Sequence, residues 1–382
     1  MTKTFLKRDI KTAKTVRAVC GRDLPPLTDL APELFARAGH ICLATDRGCL
    51  KKFKRTFKKM LGRRRAGTHI FVLPAGRPAK TFRALEELLS FMLKRGFSRN
   101  SLLIAAGGGS VTDLAGLAAS LYMRGISWIS VPTTFLGQID AGLGGKTAVD
   151  LAGIKNMAGA FYQPALTVCD AAFLQTLGRD ELSAGAGELV KYALIGPAAL
   201  RRRVLKNLGR ALKGETAALV KLVSACADFK LSLTARDERD KTGVRERLNF
   251  GHTAGHAFES ASGGRLAHGA AVLWGMRYAC LLSIKLKILK PAHQKTVSGI
   301  LWKTQAPPLA AKCFDFRAFH RLICYDKKAG AGKNRFLLIE RPGRIKAVNN
   351  IAPGILKGTL TALRLPRGLR AGYGKNFCDK NF

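Results

Sequence analysis

The arrangement of apolar runs along the first third of the chain is the feature that most restricts its fold. Short apolar runs rich in β-branched residues alternate there with amphipathic stretches long enough for a helix. The predicted strands are Thr15 to Cys20, His40 to Ala44, His69 to Leu73, Ser101 to Ala105 and Ser127 to Val131. The helix-length stretches are Leu50 to Leu61, Thr81 to Arg95 and Val111 to Met123. This alternation predicts a parallel sheet covered by helices.

A different pattern begins near Glu181, after which the apolar residues follow helical spacing almost throughout. The predicted helices are Leu182 to Leu194, Ala198 to Leu212, Ala217 to Thr234, Gly251 to Ser262 and Ala270 to Leu286. A hairpin is predicted from Arg335 to Val348, because two apolar runs flank a Pro-Gly turn. We therefore predict an α/β domain at residues 1–178 and a mostly α-helical domain at residues 179–382.

The composition indicates a folded protein with a very basic surface. The 382 residues include 65 Lys and Arg against 25 Asp and Glu, which gives a formal net charge of +40, and 47% of them are hydrophobic. That apolar content excludes a disordered basic tail. The charge suits nucleic acid, an acidic membrane or a small polyanion, so the partner has to be inferred from the motifs.

The cysteines and the longest apolar segments indicate the compartment. Nine cysteines without a CxxC pair or a regular spacing argue against a zinc ribbon or a disulfide framework. The best membrane candidate, Gly269 to Ile284, contains Arg277 near its centre and is predicted to be a buried helix instead. We expect a cytoplasmic protein with no membrane partner.

A glycine-rich segment from Gly107 to Asp113, GGGSVTD, follows a predicted strand and opens an apolar helix. Backbone N–H groups at a helix N-terminus favour an anion, and glycines allow its close approach. By itself such a turn is as often structural as functional, and its spacing differs from GxGxxG. Two other turns, Pro74 to Lys80 and Val131 to Thr134, are predicted at the same edge of the sheet, where open α/β folds bind ligands.

A second candidate site lies around the segment NFGHTAGH, where His252 and His256 are four residues apart and share one helical face. His268 follows sixteen residues after His252, and Glu188 lies upstream in a separate helical segment. Two histidines and one carboxylate form a common catalytic zinc set that leaves a position open for substrate. By itself such a histidine pair is as often an ordinary structural feature as part of a metal site.

Several cationic and polar residues near these motifs form a third candidate group. Most lysines in so basic a chain are expected to be solvated surface charges. Lys146 and Lys155 differ because their glycine- and alanine-rich neighbours are not surface-like, and Lys191 shares a helical face with Glu188. The group also includes Asn156, Lys230, Arg245, Lys327 and Lys328.

Five segments resemble, in order and spacing, the motifs of the 3-dehydroquinate synthase family: VPTTFLGQIDAGLGGKTAVDLAGIKNMAGAFYQP, GELVKY, RERLNFGHTAGHAFES, LAHGAAVLWGM and DKKAGAGKNRF. The resemblance implies an N-terminal Rossmann-like, parallel-sheet domain that binds NAD and an α-helical domain that holds zinc, with cobalt as an alternative metal. It also implies a lyase of the shikimate pathway that converts 3-deoxy-D-arabino-heptulosonate 7-phosphate into 3-dehydroquinate and phosphate. The implied steps are transient oxidation by NAD, phosphate elimination, reduction and intramolecular aldol closure.

The resemblance assigns roles to individual residues. The implied metal ligands are Glu188, His252 and His268. The implied cofactor-binding residues are Asp46, Lys80, Gly108, Gly109, Ser110, Val111, Thr112, Asp113, Thr133, Thr134, Lys146, Lys155, Phe173, Leu174, Gln175, Thr176 and Glu181. The implied substrate-binding residues are Arg124, Asp140, Lys146, Lys155, Asn156, Lys191, Lys230, Arg245, Asn249, His256 and one of Lys327 and Lys328. Catalytic roles are implied for His256, Lys146, Lys191, Asn249 and Arg245, and Arg124 matches a residue that crosses a homodimer interface.

The chain also departs from the family pattern. Arg77 stands where the family usually has a glutamate that contacts the adenosine ribose, and Gly48 stands where asparagine is common. One extra residue lies between Lys230 and Arg245, and Ala270 replaces a common glutamate. The first two changes predict either weaker NAD binding or an altered choice of cofactor.

Three alternative functions remain open. Another sugar-phosphate cyclase would share the scaffold, although Lys155-Asn156, Arg245 and Asn249 favour a substrate with a carboxylate. A metal-dependent alcohol or glycerol dehydrogenase shares the glycine turn and a histidine-bearing helical domain. A basic nucleic-acid-binding protein without catalysis is disfavoured because the chain shows no stripe of arginines and aromatics, so no nucleic-acid partner is expected.

Overall fold

The structure is a computed structural model that describes residues 3–11, 15–62, 67–152, 154–324 and 333–364. Its strands are β1 Lys3–Lys11, β2 Thr15–Arg22, β3 Ile41–Asp46, β4 Thr68–Leu73, β5 Leu102–Gly107, β6 Ser127–Pro132, β7 Lys146–Leu151, β8 Ile154–Phe161, β9 Leu166–Asp170, β10 Arg335–Arg341 and β11 Arg344–Asn349. Its helices are α1 Leu27–Leu30, α2 Pro32–Arg37, α3 Arg47–Leu61, α4 Phe82–Lys94, α5 Gly109–Leu121, α6 Arg179–Ala184, α7 Ala186–Ile195, α8 Ala198–Leu212, α9 Thr216–Arg236, α10 His252–Ala261, α11 His268–Lys285, α12 Pro291–Lys303, α13 Phe316–Cys324 and α14 Pro353–Arg364.

Seven strands form one sheet in the order β1-β2-β9-β6-β5-β3-β4, and every neighbouring pair except β1 with β2 is parallel. Helices α4 and α5 pack apolar side chains on one face of this sheet, and α1 to α3 pack on the other. Strand β5 is buried along its whole length, as expected for a strand covered on both faces. The predicted parallel sheet is confirmed, and its five predicted strands agree within two residues at each end.

The chain divides into two compact units. The first unit is Met1–Leu182 with Lys213–Thr242, and the second is Ser183–Leu212 with Gly243–Phe382. Helix α9 was predicted as part of a single domain at residues 179–382, but it belongs to the first unit because Leu231 packs on Val16 and Ala18 of β2. Helical spacing in a sequence identifies an apolar face without identifying the element that covers it.

In the second unit, helices α7, α10 and α11 approach one another through glycines. A Cβ atom added at Gly275 of α11 would collide with the carbonyl oxygen of Gly251, and one at Gly255 of α10 would press on the backbone of α11. The predicted helix Leu182 to Leu194 is instead two helices, α6 and α7, separated at Gly185. The other predicted helices and the hairpin of β10 and β11 are present.

The apolar segment from Gly269 to Ile284 lies within the buried helix α11. Its Arg277 is only 3% exposed and donates hydrogen bonds to the carbonyl oxygens of Leu301 and Thr304. The guanidinium also lies over the rings of Trp274 and Trp302, 4.6 and 4.2 Å from their centroids. Among the described residues, no helix combines the length and apolar composition needed to cross a membrane.

Candidate active site

The second unit brings together the three residues implied as metal ligands. The Glu188 Oε1 atom lies 3.5 Å from His252 Nε2 and 3.3 Å from His268 Nε2. Zinc bonds of about 2.0–2.2 Å in a tetrahedron separate neighbouring donor atoms by about 3.3–3.6 Å. Glu188, His252 and His268 each offer one ligand atom, and these three atoms lie within 4.8 Å of one another. The donor set and its spacing therefore fit a tetrahedral metal with a fourth position open for substrate.

Two glycines fix the spacing of the helices that carry these ligands. Gly187 precedes Glu188 on α7, and a Cβ there would collide with the carbonyl oxygen of Gly269, the residue after His268. A Cβ on Gly269 would in turn collide with the carbonyl oxygen of Ala184. Backbone contact between these helices is possible only without side chains at both positions. The ligand geometry is thus set by main-chain packing.

The two histidines of the cluster have opposite proton affinities. Burial lowers the pKa of His252 well below its usual range, with a further lowering from Lys191, His256 and His268, against the raising effect of Glu188. Burial also acts to lower the pKa of His268, but hydrogen bonds with Glu188 and Glu259 raise it to about 9. The neutral His252 has a lone pair ready for a metal, whereas a metal that binds His268 displaces a proton.

Other implied site residues of this unit lie beside the cluster or on the segment that precedes α10. The ring of the exposed His256 lies 5.3 Å from that of His252 and 5.9 Å from that of His268. Lys191 is 1% exposed and pairs with the Glu188 carboxylate one helical turn away. Arg245 and Asn249 lie on the short 3₁₀ helix Arg245–Asn249, immediately before α10, and Arg245 is 1% exposed.

In the first unit, the glycine-rich turn joins β5 to α5. Gly108 caps α5 and Gly109 begins it, so the first N–H groups of the helix are available to an anion. A Cβ on Gly108 would lie 3.3 Å from the Thr134 side chain, and one on Gly109 would lie 3.3 Å from the Cβ of Ala141. The side chains of Val111 and Thr112 are buried. The turn therefore offers backbone amides, as a phosphate-binding cradle requires.

The neighbouring turns meet this one at the carboxyl ends of the parallel strands, as predicted. Thr133 N donates to Gly107 O at 2.9 Å, which ties the end of β6 to the end of β5. Lys80 Nζ lies 2.5 Å from Asp113 Oδ2 and also contacts Asn156 Oδ1. Burial raises the pKa of Asp113, while the charge and hydrogen bond of Lys80 act to lower it. Lys80 and Asp113 thus form one linked pair beside the glycine turn.

The remaining residues implied in cofactor binding differ in exposure. Asp46 caps α3 by accepting from Cys49 N at 2.9 Å, and Cys49 Sγ lies 3.3 Å from Thr133 Oγ1. Phe173 and Leu174 have core side chains, so only their main chain is left to face a ligand. Exposed residues in this set are Lys146, Lys155, Gln175, Thr176 and Glu181.

Two implied substrate lysines of the first unit pair with carboxylates. Lys146 Nζ lies 2.7 Å from Asp240 Oδ2, and its side chain is 45% exposed. The buried Lys230 pairs with the Asp140 carboxylate and donates to the Asp140 carbonyl oxygen at 2.6 Å. Both lysines are therefore held by anionic oxygens of the protein.

Arg124 lies in a turn with an uncommon backbone. Met123, Arg124 and Gly125 have consecutive positive φ angles of 47°, 66° and 122°. Two adjacent non-glycine residues in the left-handed region store strain, which is typical of functional positions. Lys327 and Lys328 lie outside the described residues.

Sequence reasoning missed two residues that the structure brings to these sites. Glu259 contacts the ligand His268, and its position seven residues after His252 could have revealed it, because that spacing repeats one helical face. Asp240 pairs with Lys146, but no spacing rule connects a loop residue to a strand ninety-four positions earlier. Helical contacts are thus readable from a sequence in a way that loop contacts are not.

Comparisons with known proteins give a consistent result. Family profiles described as 3-dehydroquinate synthase N-terminal and C-terminal match residues 70–184 and 185–329. A 3-dehydroquinate synthase from Acidithiobacillus ferrooxidans is 35% identical over 335 residues, which cover 86% of this chain and 91% of that one.

Two solved structures resemble the whole fold. A 2-deoxy-scyllo-inosose synthase complexed with carbaglucose-6-phosphate, NAD+ and Co2+ has a TM-score of 0.80 at 24% identity, covering 93% of this chain and 99% of its own. A 2-epi-5-epi-valiolone synthase from Streptomyces hygroscopicus with NAD+ and Zn2+ bound has a TM-score of 0.79 at 25% identity, covering 92% and 97%. The fold is thus that of cyclases that bind NAD and a divalent metal.

Proposed function

The chain belongs to the 3-dehydroquinate synthase family, and from that premise we propose that it converts 3-deoxy-D-arabino-heptulosonate 7-phosphate into 3-dehydroquinate and phosphate. It is then an enzyme of the shikimate pathway, a phosphate-eliminating cyclase. The observation that carries the proposal is the cluster of Glu188, His252 and His268, whose donor spacing suits a catalytic zinc. The cytoplasm is the proposed location, in keeping with eight described cysteines that are all free thiols.

The proposed cofactors are NAD and zinc, with cobalt as the alternative metal. When bound, NAD accepts a hydride from the substrate and returns it, while the metal polarises substrate oxygens and lowers the pKa of a hydroxyl. The chain would hold the metal through Glu188, His252 and His268. It would hold the dinucleotide phosphates through the backbone of the glycine turn from Gly108 to Asp113, with Thr133, Thr134 and Lys80 nearby.

The proposed substrate residues supply fixed charge and one proton-transfer group. His256 is exposed beside the metal ligands, so its imidazole can accept a proton from the substrate and return it. Lys191 is held against Glu188 and cannot swing away, which gives a preorganised positive charge. The further proposed substrate residues are Arg124, Asp140, Lys146, Lys155, Asn156, Lys230, Arg245, Asn249 and one of Lys327 and Lys328.

The carboxylate of the substrate separates this proposal from the other cyclases. An anionic substrate with both a carboxylate and a phosphate requires more cationic partners than a sugar phosphate alone. Asn249 and the buried Arg245 directly precede the metal-binding helix and are the residues we propose for this discrimination. The relative that is 35% identical is named a 3-dehydroquinate synthase, whereas the two cyclases of other specificity are no more than 25% identical to this chain.

We also propose that the protein acts as a homodimer through Arg124. Large apolar side chains are exposed near that turn at Leu121 and Met123, and on strand β8 at Met157 and Phe161. Exposed apolar groups of this kind favour burial against a second copy. Light scattering during gel filtration should give twice the chain mass. Arg124→Ala should lower activity while the measured mass stays close to that of the dimer.

The decisive experiment supplies the purified protein with zinc, NAD and the heptulosonate phosphate. Phosphate release and dehydroquinate formation should appear together and in equal amounts, with no net NADH. Phosphate release only from other sugar phosphates would assign the chain to another cyclase specificity. Accumulation of free NADH with a simple alcohol would instead identify a dehydrogenase, and the proposal would be abandoned.

The cofactor choice has its own test because of Arg77 and Gly48. Calorimetric titration of the zinc-loaded protein with NAD and with NADP gives both affinities directly. We expect NAD to bind, but more weakly than to an Arg77→Glu variant, because the variant restores an acceptor for the ribose hydroxyls. Equal NAD affinity in both proteins would remove any role of this departure in cofactor binding.

A further inference from the structure

One face of helix α10 carries more than the metal ligand that begins it. His252, His256 and Glu259 occupy positions i, i+4 and i+7, so their side chains leave the same side of the helix. Glu259 is 8% exposed, which is unusual for a carboxylate without a defined task. The buried carboxylate therefore lies on the face of α10 that the metal centre uses.

Glu259 contacts the ligand that arrives from the next helix. Its Oε2 atom lies 3.4 Å from His268 Nδ1, while His268 Nε2 lies 3.3 Å from Glu188 Oε1. A neutral imidazole that offers the Nε2 lone pair to a metal must carry its proton on Nδ1. Glu259 is positioned to accept a hydrogen bond from the Nδ1–H group of His268, and it thereby selects the tautomer that can bind metal.

The main chain of Glu259 also anchors the loop that delivers His268. Its carbonyl oxygen accepts from Ser262 Oγ at 2.7 Å and from Gly264 N at 3.3 Å. Ser262 Oγ accepts in turn from Leu266 N at 3.0 Å. The loop between α10 and α11 is thus fixed to the same residue whose side chain orients the imidazole.

The other histidine ligand is oriented by a different kind of acceptor. His252 Nδ1 lies 3.4 Å from the carbonyl oxygen of Phe250. A backbone carbonyl cannot be removed by substitution, and it carries no full charge. Of the two ligands, only His268 depends on a side chain for this contact, so its orientation can be tested by mutation.

We propose that Glu259 is a positioning residue for the metal centre, which holds His268 with Nε2 directed at the metal and strengthens that nitrogen as a donor. This proposal rests on the metal site of the proposed function, but it concerns metal affinity rather than the reaction. Removal of such a carboxylate weakens metal binding by about 10- to 100-fold.

The test measures zinc affinity by competition with a chromophoric chelator in the full-length protein. Glu259→Ala should weaken zinc binding about 10- to 100-fold and alter the visible absorption bands of the cobalt-substituted protein. Glu259→Gln retains an oxygen acceptor and should recover most of the affinity. Glu246→Ala is the matched control, because Glu246 is similarly buried and pairs with Arg335 rather than with a ligand.

Two results would overturn the proposal. One is wild-type zinc affinity and an unchanged cobalt spectrum in Glu259→Ala. The other is an equal loss of affinity in Glu259→Ala and the Glu246→Ala control, which would indicate general destabilisation. If Glu259→Ala does not fold, the cobalt spectrum of Glu259→Gln decides. An altered spectrum supports the proposal, whereas an unaltered one indicates a purely structural carboxylate and overturns it. Tight zinc binding without phosphate release would refute the proposed function and leave this proposal intact.

Discussion

The metal-ligand cluster of the second unit and the implied lysines of the first unit hold their charged side chains in different ways. In the metal-ligand cluster, two imidazoles and the ammonium of Lys191 converge on the carboxylate of Glu188, and Glu259 contacts the other nitrogen of His268. In the first unit, three of the implied lysines each have their own carboxylate: Lys80 pairs with Asp113, Lys146 with Asp240 and Lys230 with Asp140. The first arrangement brings several metal-binding atoms to one point. The second places separate lysines across the first unit, each neutralised by a carboxylate.

This difference teaches how each kind of site is kept ready for its ligand. The metal ligands are fixed by helix backbones in contact at Gly187 and Gly269, so little motion is left to them. The ammonium groups of the lysines lie at the ends of flexible four-carbon chains, and their carboxylate partners hold them only approximately in position. A metal centre needs fixed distances, whereas an anion site needs only available charge. The predictions below test this contrast.

The largest effect is expected at the metal ligands. His252→Ala removes one of three donors and should abolish stoichiometric zinc and activity, as measured by metal analysis and phosphate release. His256→Ala should retain the metal while turnover falls by about 10²–10⁴-fold, because only proton transfer is lost. Loss of zinc in His256→Ala would contradict the roles proposed for these two residues.

A smaller but still severe effect is expected where the helices touch. Gly269→Ala places a Cβ against the carbonyl oxygen of Ala184, and overpacking of this kind costs about 1–3 kcal/mol or more. Urea unfolding should show that loss, and zinc affinity should fall with it. Gly209→Ala in α8 is the control, since a Cβ there meets nothing within 4 Å and should stabilise by about 0.5–1 kcal/mol. Equal stability in both variants would show that backbone contact does not fix the ligands.

Local elements of the two units could be predicted from the sequence, whereas contacts between distant segments could not. The five strands of the sheet and the face shared by His252 and His256 follow from periods of two and 3.6 residues, which are local properties. The grouping of α9 with the first unit depends on Leu231 meeting Val16, a contact between distant segments that no local period encodes. The distance between Glu188 and the histidines depends on glycines whose role appears only when the helices are packed.

The residues of the candidate site show the same division. The metal ligands came from a resemblance between motifs, supported by helical spacing. Lys146 lies on a strand, and Asp240 lies in a loop that has one residue more than the family pattern. The sequence therefore did not indicate which loop residue meets Lys146. Phe173 and Leu174 were implied as cofactor contacts, yet their side chains face the core, because the family pattern does not distinguish main-chain from side-chain contacts.

Within the first unit, the buried pair should matter more than the exposed one. Asp140→Asn leaves the ammonium of Lys230, which is 6% exposed, with the Asp140 carbonyl oxygen but without the carboxylate. Hydrogen bonds that involve charged groups contribute about 1.5–3 kcal/mol, so the free energy of unfolding should fall by about that amount. Urea unfolding at neutral pH measures it. A loss below about 0.5 kcal/mol would mean that this pair is as loosely held as a surface pair.

The smallest effect is expected for the pair of Lys146 and Asp240. The Lys146 side chain is 45% exposed, so water and salt screen its charge, whereas the Asp240 side chain is only 6% exposed. The pair should therefore contribute about 1 kcal/mol, the upper end of the range for exposed pairs. Asp240 has a positive φ of 53°, a conformation that asparagine adopts as readily as aspartate, so Asp240→Asn adds no backbone strain. Its free energy of unfolding should therefore stay within about 1 kcal/mol of the wild type in a urea titration. A loss as large as that of Asp140→Asn would show that the first unit fixes its exposed cation as firmly as its buried one, and the contrast with the metal centre would then rest on donor geometry alone.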